Sequence, residues 1–91
     1  MEIDLRVPGV TSLKGKRAVV KSLIGDLRRQ LNVSVIELGY QEQYQRTVIG
    51  VTVAAASEHG VRTVIQQIEK IVFREPRVEL IHLHTELAQT E

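Results

Sequence analysis

Apolar residues recur along the chain with two different periods, and these periods divide it into helices and strands. Between residues 12 and 31 the apolar side chains are spaced three or four apart, at Leu13, Val20, Leu23, Ile24, Leu27 and Leu31. This spacing predicts one amphipathic helix, with an N-cap at Thr11 or Ser12. A second stripe of the same kind predicts a helix between Ser57 and Pro76. This stripe consists of Val61, Val64, Ile65, Ile68, Ile71 and Val72.

Short runs rich in apolar residues, most of them alternating with polar residues, predict four strands. The clearest case is Glu2–Val7, in which every second residue is apolar. Runs of the same type predict further strands at 33–38, 46–55 and 78–86. In the third strand Ile49, Val51 and Val53 share one face. In the fourth strand we expect the inward residues to be Ile81, Leu83 and Leu87.

The second predicted strand carries apolar residues on both sides. Val33 and Val35 point one way, whereas Ile36 and Leu38 point the other way with Ser34. The alternation therefore does not identify its buried face. If Ile36 and Leu38 lie on an open face beside Val48 of the third strand, they form an exposed apolar patch there.

The order strand, helix, strand, strand, helix, strand is that of the ferredoxin-like α+β fold. Right-handed crossovers place both helices on one face of a four-stranded antiparallel sheet and leave the other face open. A chain of 91 residues is short enough to form one core, so we expect a single ferredoxin-like domain over residues 1–91.

Composition excludes several classes of function. The chain has no cysteine, which excludes disulfides, thiolate metal sites and cysteine nucleophiles. No apolar stretch is long enough to cross a membrane, and the N-terminus lacks the pattern of a signal peptide. We therefore expect a cytoplasmic protein. The net charge of +1 is close to neutral, so any signal for nucleic acid must come from how the charges are distributed.

Positive charge is concentrated in the first predicted helix. Residues 12–31 hold six of the twelve basic residues but one of the eleven acidic residues. The six are Lys14, Lys16, Arg17, Lys21, Arg28 and Arg29. On a helical wheel Lys14, Arg17, Lys21 and Arg28 fall within roughly a quarter-turn, so they could follow a phosphate backbone. The alternative is a solvated face whose long side chains cover the edge of the core.

The segment 40–46 is a second candidate site. Its tyrosines, amides and arginine suit base stacking or a protein-binding hot spot, with Tyr44 and Arg46 as the main contacts. The alternative is that Tyr44 covers the end of the core while Arg46 pairs with Glu37 or Glu42. The stacking aromatics of an RNA-recognition motif would lie in the central strands, where this chain has none.

Two further patterns give weaker signals. The sequence His82-x-His84-x-Glu86 places three potential zinc ligands on one side of a strand, but a charge-paired surface explains it better, and we predict no metal. The segment Arg6–Val10 resembles the phosphate loop of acylphosphatases. However, Leu13 stands where that loop needs an arginine, and the third strand has no asparagine. We therefore expect neither an enzyme nor a cofactor.

Several short segments resemble the YlxP-like family of small bacterial proteins of unknown function. They are Ser12–Arg17 (SLKGKR), Asn32–Val35 (NVSV), Gln41, Tyr44–Arg46 (YQR) and Gly50–Val51. Gly15 departs from the charged residue that is commoner in the family. The resemblance implies a ferredoxin-like fold and no established activity. Genes of this family often lie near those for transcription and translation factors, which hints at ribosome or RNA work.

These observations lead to two functional hypotheses. The first is a non-catalytic RNA- or ribosome-associated factor that contacts phosphates through Lys14, Arg17, Lys21 and Arg28. In this hypothesis Lys16, Arg29, Tyr44 and Arg46 assist. The second is a protein-interaction module that forms a homodimer through the open sheet face, because an exposed apolar patch usually marks an interface.

Overall fold

The six predicted elements form in the predicted order. The computed structural model of the protein describes residues 1–88. Its elements are β1 (Glu2–Arg6), α1 (Leu13–Gln30), β2 (Val33–Gly39), β3 (Arg46–Val53), α2 (Glu58–Arg74) and β4 (Glu79–His84). The architecture is therefore the ferredoxin-like α+β fold that the periodicities predict. No helix in the described part of the chain has the length and apolar character needed to cross a bilayer.

The four strands make one antiparallel sheet in the order β2-β3-β1-β4. β1 is central, with Ile3 opposite Ile49 of β3 and Leu83 of β4. β2 and β4 are the two edges. Because β2 is an edge strand, one side of its backbone is open beside α1, and this position matters for the candidate site.

A serine hydroxyl caps each helix. The Oγ atom of Ser12 accepts a hydrogen bond from the backbone N–H of Gly15 at 3.0 Å. Ser57 does the same for the N–H of Gly60 at 3.1 Å. Each cap satisfies a backbone donor that has no partner within the first turn, which explains why the helices start where they do.

The core lies between the sheet and the two helices. Its buried residues include Ile3, Leu5, Val7, Val19, Leu23, Leu27, Ile49, Val51, Ile68 and Val72. Val35 is also buried, whereas Ile36 and Leu38 are 58% and 44% exposed. The inward face of β2 is therefore the one that carries Val35, and the two larger apolar residues lie on the open face of the sheet.

The predicted inward face of the fourth strand is wrong at Ile81, which is 40% exposed. Leu87, also predicted to face inward, is 45% exposed and lies beyond the strand. The register explains the error, because His82 lies opposite Asp4 but Leu80 lies opposite Leu5. Ile81 is thus the extra residue of an irregularity of the β-bulge type, and Leu80 packs against the core in its place.

Candidate nucleic-acid interface

The basic residues of α1 separate into exposed and engaged groups. Lys14, Arg17, Lys21 and Arg28 are all exposed. Among residues 1–88 none of these four side chains forms an ion pair with an acid. By contrast, Arg62 of α2 lies 2.7 Å from Glu58. The exposed side of α1 therefore carries uncompensated positive charge, which we call the basic stripe (Lys14, Arg17, Lys21 and Arg28).

Lys16 has a different environment from its neighbours. Its side chain is completely buried, and its ammonium nitrogen lies 2.7 Å from Oε2 of Glu37. The same nitrogen donates a hydrogen bond to the carbonyl oxygen of Tyr40 at 2.7 Å. Glu37 also accepts a hydrogen bond from the hydroxyl of buried Thr47 at 2.6 Å. Lys16 is thus part of the interior and is not available to an external phosphate.

The sequence contains a signal for this position that charge counting missed. Lys16 lies four residues before Val20 and seven before Leu23, so it belongs to the apolar stripe of α1. A lysine within such a stripe must either extend to the surface or find a buried acid. Glu37 is that acid, because it has the same parity in β2 as buried Val35.

Arg29 and Arg28 are each tied to a local partner. Arg29 forms an ion pair with Asp26, one helical turn earlier, so its charge is locally balanced. Arg28 donates from Nη2 to the carbonyl oxygen of Val35 at 2.7 Å, which spans the gap between α1 and the edge strand β2. Its positive charge has no acidic partner among residues 1–88, and it remains in the basic stripe.

A groove of about 810 Å³ runs between α1 and β2. Arg17, Lys21, Arg28 and Arg29 line it from the helix. Val20 and Ile24 of the helix, together with Val35 of the strand, supply apolar lining. The helix also presents Ala18 and Gly25 to this groove. Glu37 of the strand also lines it, so three of the four residues of the basic stripe border a concave surface with an apolar and partly acidic lining.

The loop between β2 and β3 is held in one place by several contacts. Arg46 donates two hydrogen bonds to the carboxylate of Asp4, both at 2.8 Å, and its guanidinium lies 4.7 Å from the ring centre of Tyr40. Arg46 therefore pairs with Asp4, and not with Glu37 or Glu42 as the sequence suggested. At the same end of the sheet the backbone N–H of Val7 donates to the carbonyl of Gln45 at 2.9 Å.

Both tyrosines of this loop reach the surface. Tyr40 is 38% exposed and Tyr44 is 43% exposed. Tyr44, which the sequence singled out, therefore does not lie within the core. Tyr40 was not singled out, although its backbone has a φ of 59°, in the left-handed region that residues other than glycine rarely adopt. We call Tyr40 and Tyr44 the loop tyrosines.

The histidines of β4 lie on the open face of the sheet. His82 is opposite Asp4 and His84 is opposite Glu2. Nε2 of His84 lies 3.2 Å from Oε1 of Glu86. Within residues 1–88 no three potential ligands come close enough together to hold a metal ion.

The fold and this surface define a class: a small ferredoxin-like domain with an uncompensated basic first helix. The family described as "Protein of unknown function (DUF503)" matches residues 1–85. Over 75 residues the chain is 33% identical to the uncharacterized protein YlxP of Bacillus subtilis (strain 168). The aligned residues make up 82% of each chain. The chain therefore belongs to the DUF503 family, and the resemblance to YlxP-like proteins is confirmed.

Replacing Lys16 tests the buried network. Lys16→Met keeps an apolar side chain but removes the ammonium, so Glu37 loses its cation and the Tyr40 carbonyl loses its donor. We expect the free energy of unfolding to fall by about 3 kcal/mol, because one partner of a buried pair is left uncompensated. Urea denaturation followed by circular dichroism measures this change. Arg17→Met, at the next and exposed position, should change the same quantity by less than about 0.5 kcal/mol. Equal effects of the two substitutions would contradict the assignment.

The pair between Asp4 and Arg46 makes stability depend on pH in the acid range. The hydrogen bonds from Arg46 are the main reason that the pKa of Asp4 lies below its ordinary value of 3.8. Because the pKa of Asp4 is lowered in the folded state, the pair stabilises the protein at pH values above 3.8. This contribution is lost as the pH falls through 3.8 and below. We therefore expect wild type to lose more stability between about pH 5.5 and about pH 3 than Asp4→Asn does. Parallel losses in urea denaturation would contradict this role of Asp4.

Proposed function

We propose that the protein is a non-catalytic RNA- or ribosome-associated factor that binds a phosphate backbone through the basic stripe of α1. The observation that carries the proposal is that Lys14, Arg17 and Lys21 are exposed on one side of the helix without an acidic partner among residues 1–88. A polyanion partner of this kind is consistent with a cytoplasmic location.

The placement of these charges favours an external anion. Lys14 and Arg17 lie in the first turns of α1, where the helix dipole disfavours cations. The first turn contains no acidic residue to offset them. Four like charges on one side also repel one another. A phosphate backbone would relieve both costs, because its charges can follow the roughly 20 Å between Lys14 and Arg28.

The contacts of the other basic residues narrow the proposed surface. Lys16 is buried against Glu37, and Arg46 is held by Asp4. Arg29 lies beside the stripe but is paired with Asp26. The proposed phosphate contacts are therefore the four residues of the basic stripe, with Arg29 in a weaker role. The loop that carries Tyr40 and Tyr44 contacts Lys16 near the N-terminus of α1 through the Tyr40 carbonyl, but the Tyr40 ring packs on Arg46 at the open face of the sheet and does not extend the basic stripe.

Salt dependence tests the proposal directly. Four phosphate contacts should give a log–log slope of the binding constant against salt of roughly −3 to −4. We expect labelled RNA to bind with this slope, as measured by fluorescence anisotropy. Charge reversal of Lys14, Arg17 and Lys21 to Glu should abolish binding and also release the protein from ribosomal particles in co-sedimentation.

A matched control is available on the second helix. Charge reversal of Arg62, Lys70 and Arg74 to Glu changes the net charge by the same amount, on exposed positions of α2. This variant should retain most of the binding. If it loses as much affinity as the α1 variant, only net charge matters and the basic stripe is not the site. A slope near zero for wild type would contradict phosphate binding altogether.

A second candidate function is homodimerisation through the open sheet face. Ile36 and Leu38 lie there with exposed fractions of 58% and 44%, beside half-buried Val48. The Leu38 side chain lies over Gly50, where an added Cβ would come within 2.6 Å of Leu38 Cδ1. The Leu38 side chain therefore packs on the open face of β3, where Ile36 of β2 lies opposite Gly50.

Sedimentation velocity at increasing protein concentration tests the dimer. We expect wild type to self-associate and a double variant, Ile36→Ser with Leu38→Ser, to sediment as a monomer, because burial of the patch would drive association. Ile81→Ser is the control, since Ile81 is similarly exposed at 40% but lies on β4, away from the patch. A wild-type protein that remains monomeric at high concentration would contradict this function.

A further inference from the structure

We propose that the RNA is double-stranded where it meets the protein, and that the basic stripe lies against the phosphates of one duplex segment. This inference rests on the proposed function and specifies the kind of RNA that the stripe takes. It depends on three features: the straight row of cations on α1, the acidic residue in the neighbouring groove, and the position of the aromatic rings.

The basic stripe forms a nearly straight row along α1. Lys14, Lys21 and Arg28 are seven residues apart, close to two helical turns, so they follow one another at intervals of about 10.5 Å along the axis. Arg17 lies beside this row, and all four residues are exposed. The helix fixes the direction and the intervals of these charges, so a partner has to bring phosphates to the same line.

The outer side of the row is a better place for phosphates than the groove between α1 and β2. β2 lines that groove with Val35, Ile36 and Glu37, which include an acid but no base. A nucleic-acid backbone inside the groove would therefore have cations on one wall and a carboxylate on the other. On the outer side of α1, none of the four cations is paired with an acid among residues 1–88.

A single strand would lack its usual contacts on this outer surface. Proteins generally bind single strands in a basic groove with aromatic rings on which the bases stack. None of the 18 residues of α1 is aromatic. The Tyr40 ring lies 4.7 Å from the guanidinium of Arg46, at the open face of the sheet, and Phe73 belongs to α2. The row on α1 therefore offers contacts to phosphates and no stacking surface.

A duplex requires only the contacts that this row offers. Double-stranded RNA is recognised mostly through its shape, its phosphates and its 2′-hydroxyl groups, and its bases stay stacked inside the helix. The paired strands hold the phosphates in fixed positions, so they lose little conformational freedom when they align with the row. A single strand would first have to be ordered along α1, which costs free energy on binding.

One cation of the row is already ordered in the free protein. Nη2 of Arg28 donates to the carbonyl oxygen of Val35 at 2.7 Å, which fixes the guanidinium at one end of the row. A guanidinium has five N–H donors, so the others remain available to a phosphate. A cation fixed in this way suits a phosphate whose position is also fixed.

Fluorescence anisotropy with two labelled RNAs of equal charge tests the inference. The probes are a blunt duplex of about 16 base pairs and an unstructured oligouridylate of about 32 nucleotides. They carry nearly the same number of phosphates, so total charge favours neither. We expect the duplex to bind about tenfold more tightly than the single strand in the same buffer.

An exchange variant tests the row at constant net charge. Lys21→Gln combined with Gln66→Lys moves one cation from the middle of the row to an exposed position on α2. We expect duplex affinity to fall about tenfold and the salt slope to decrease by about one, because one phosphate contact is lost. The flexible single strand can follow the remaining cations and should lose less affinity. The preference for the duplex should therefore decrease.

A matched control moves a cation within the second helix. Lys70→Gln combined with Gln66→Lys keeps the same composition and changes only exposed positions of α2. This variant should bind both probes as wild type does. Circular dichroism confirms that each variant is folded.

The outcomes separate this inference from the proposed function. Salt-dependent binding in which the oligouridylate equals or exceeds the duplex would overturn the inference and leave phosphate binding intact. An exchange variant that keeps the full preference for the duplex would also overturn it. Binding of neither probe would overturn both proposals. If polyglutamate displaces the duplex as effectively as unlabelled duplex at equal charge, the stripe takes an acidic protein surface and both proposals are wrong.

Discussion

One buried ammonium group joins the elements that lie around the N-terminal end of α1. Lys16 lies in the apolar stripe of α1 and is completely buried, where an uncompensated charge would be too costly to maintain. Glu37 and the Tyr40 carbonyl remove that cost, and Thr47 satisfies the same carboxylate from β3. The interaction therefore joins α1, β2, the following loop and β3. It also removes Lys16 from the cations that α1 presents to the exterior.

The basic stripe and the loop tyrosines have different physical origins. The basic stripe follows from helical spacing, since its four cations fall on one side of α1 by periodicity alone. The loop tyrosines depend on tertiary contacts: Arg46 of β3 holds Tyr40 while Asp4 of β1 holds Arg46. The positive charge proposed to attract phosphate thus belongs to one helix, whereas the position of the Tyr40 ring requires the assembled sheet.

The fold was predictable because every element except β2 has a clear period, and the errors occur where a period is interrupted. Ile81 was placed inward because strict alternation cannot anticipate the extra residue between Leu80 and His82. Lys16 was assigned to the surface because charge was counted without regard to its place in the apolar stripe. The sequence includes Tyr40 among the aromatic residues of the loop, but neither its left-handed backbone nor its contact with Arg46 has a sequence signal. Position along a helix can be predicted from sequence, but partners supplied by other strands cannot.

The hydrogen bond from Arg28 to Val35 has a consequence for solubility. Val35 belongs to an edge strand, and its neighbour Val51 directs its own N–H and C=O groups to Met1 on the opposite side. The Val35 carbonyl therefore points out of the sheet, where it could pair with a strand of another molecule. The guanidinium of Arg28 occupies that acceptor and places a positive charge on the edge. A side chain of the basic stripe thus also discourages the sheet from growing into an aggregate.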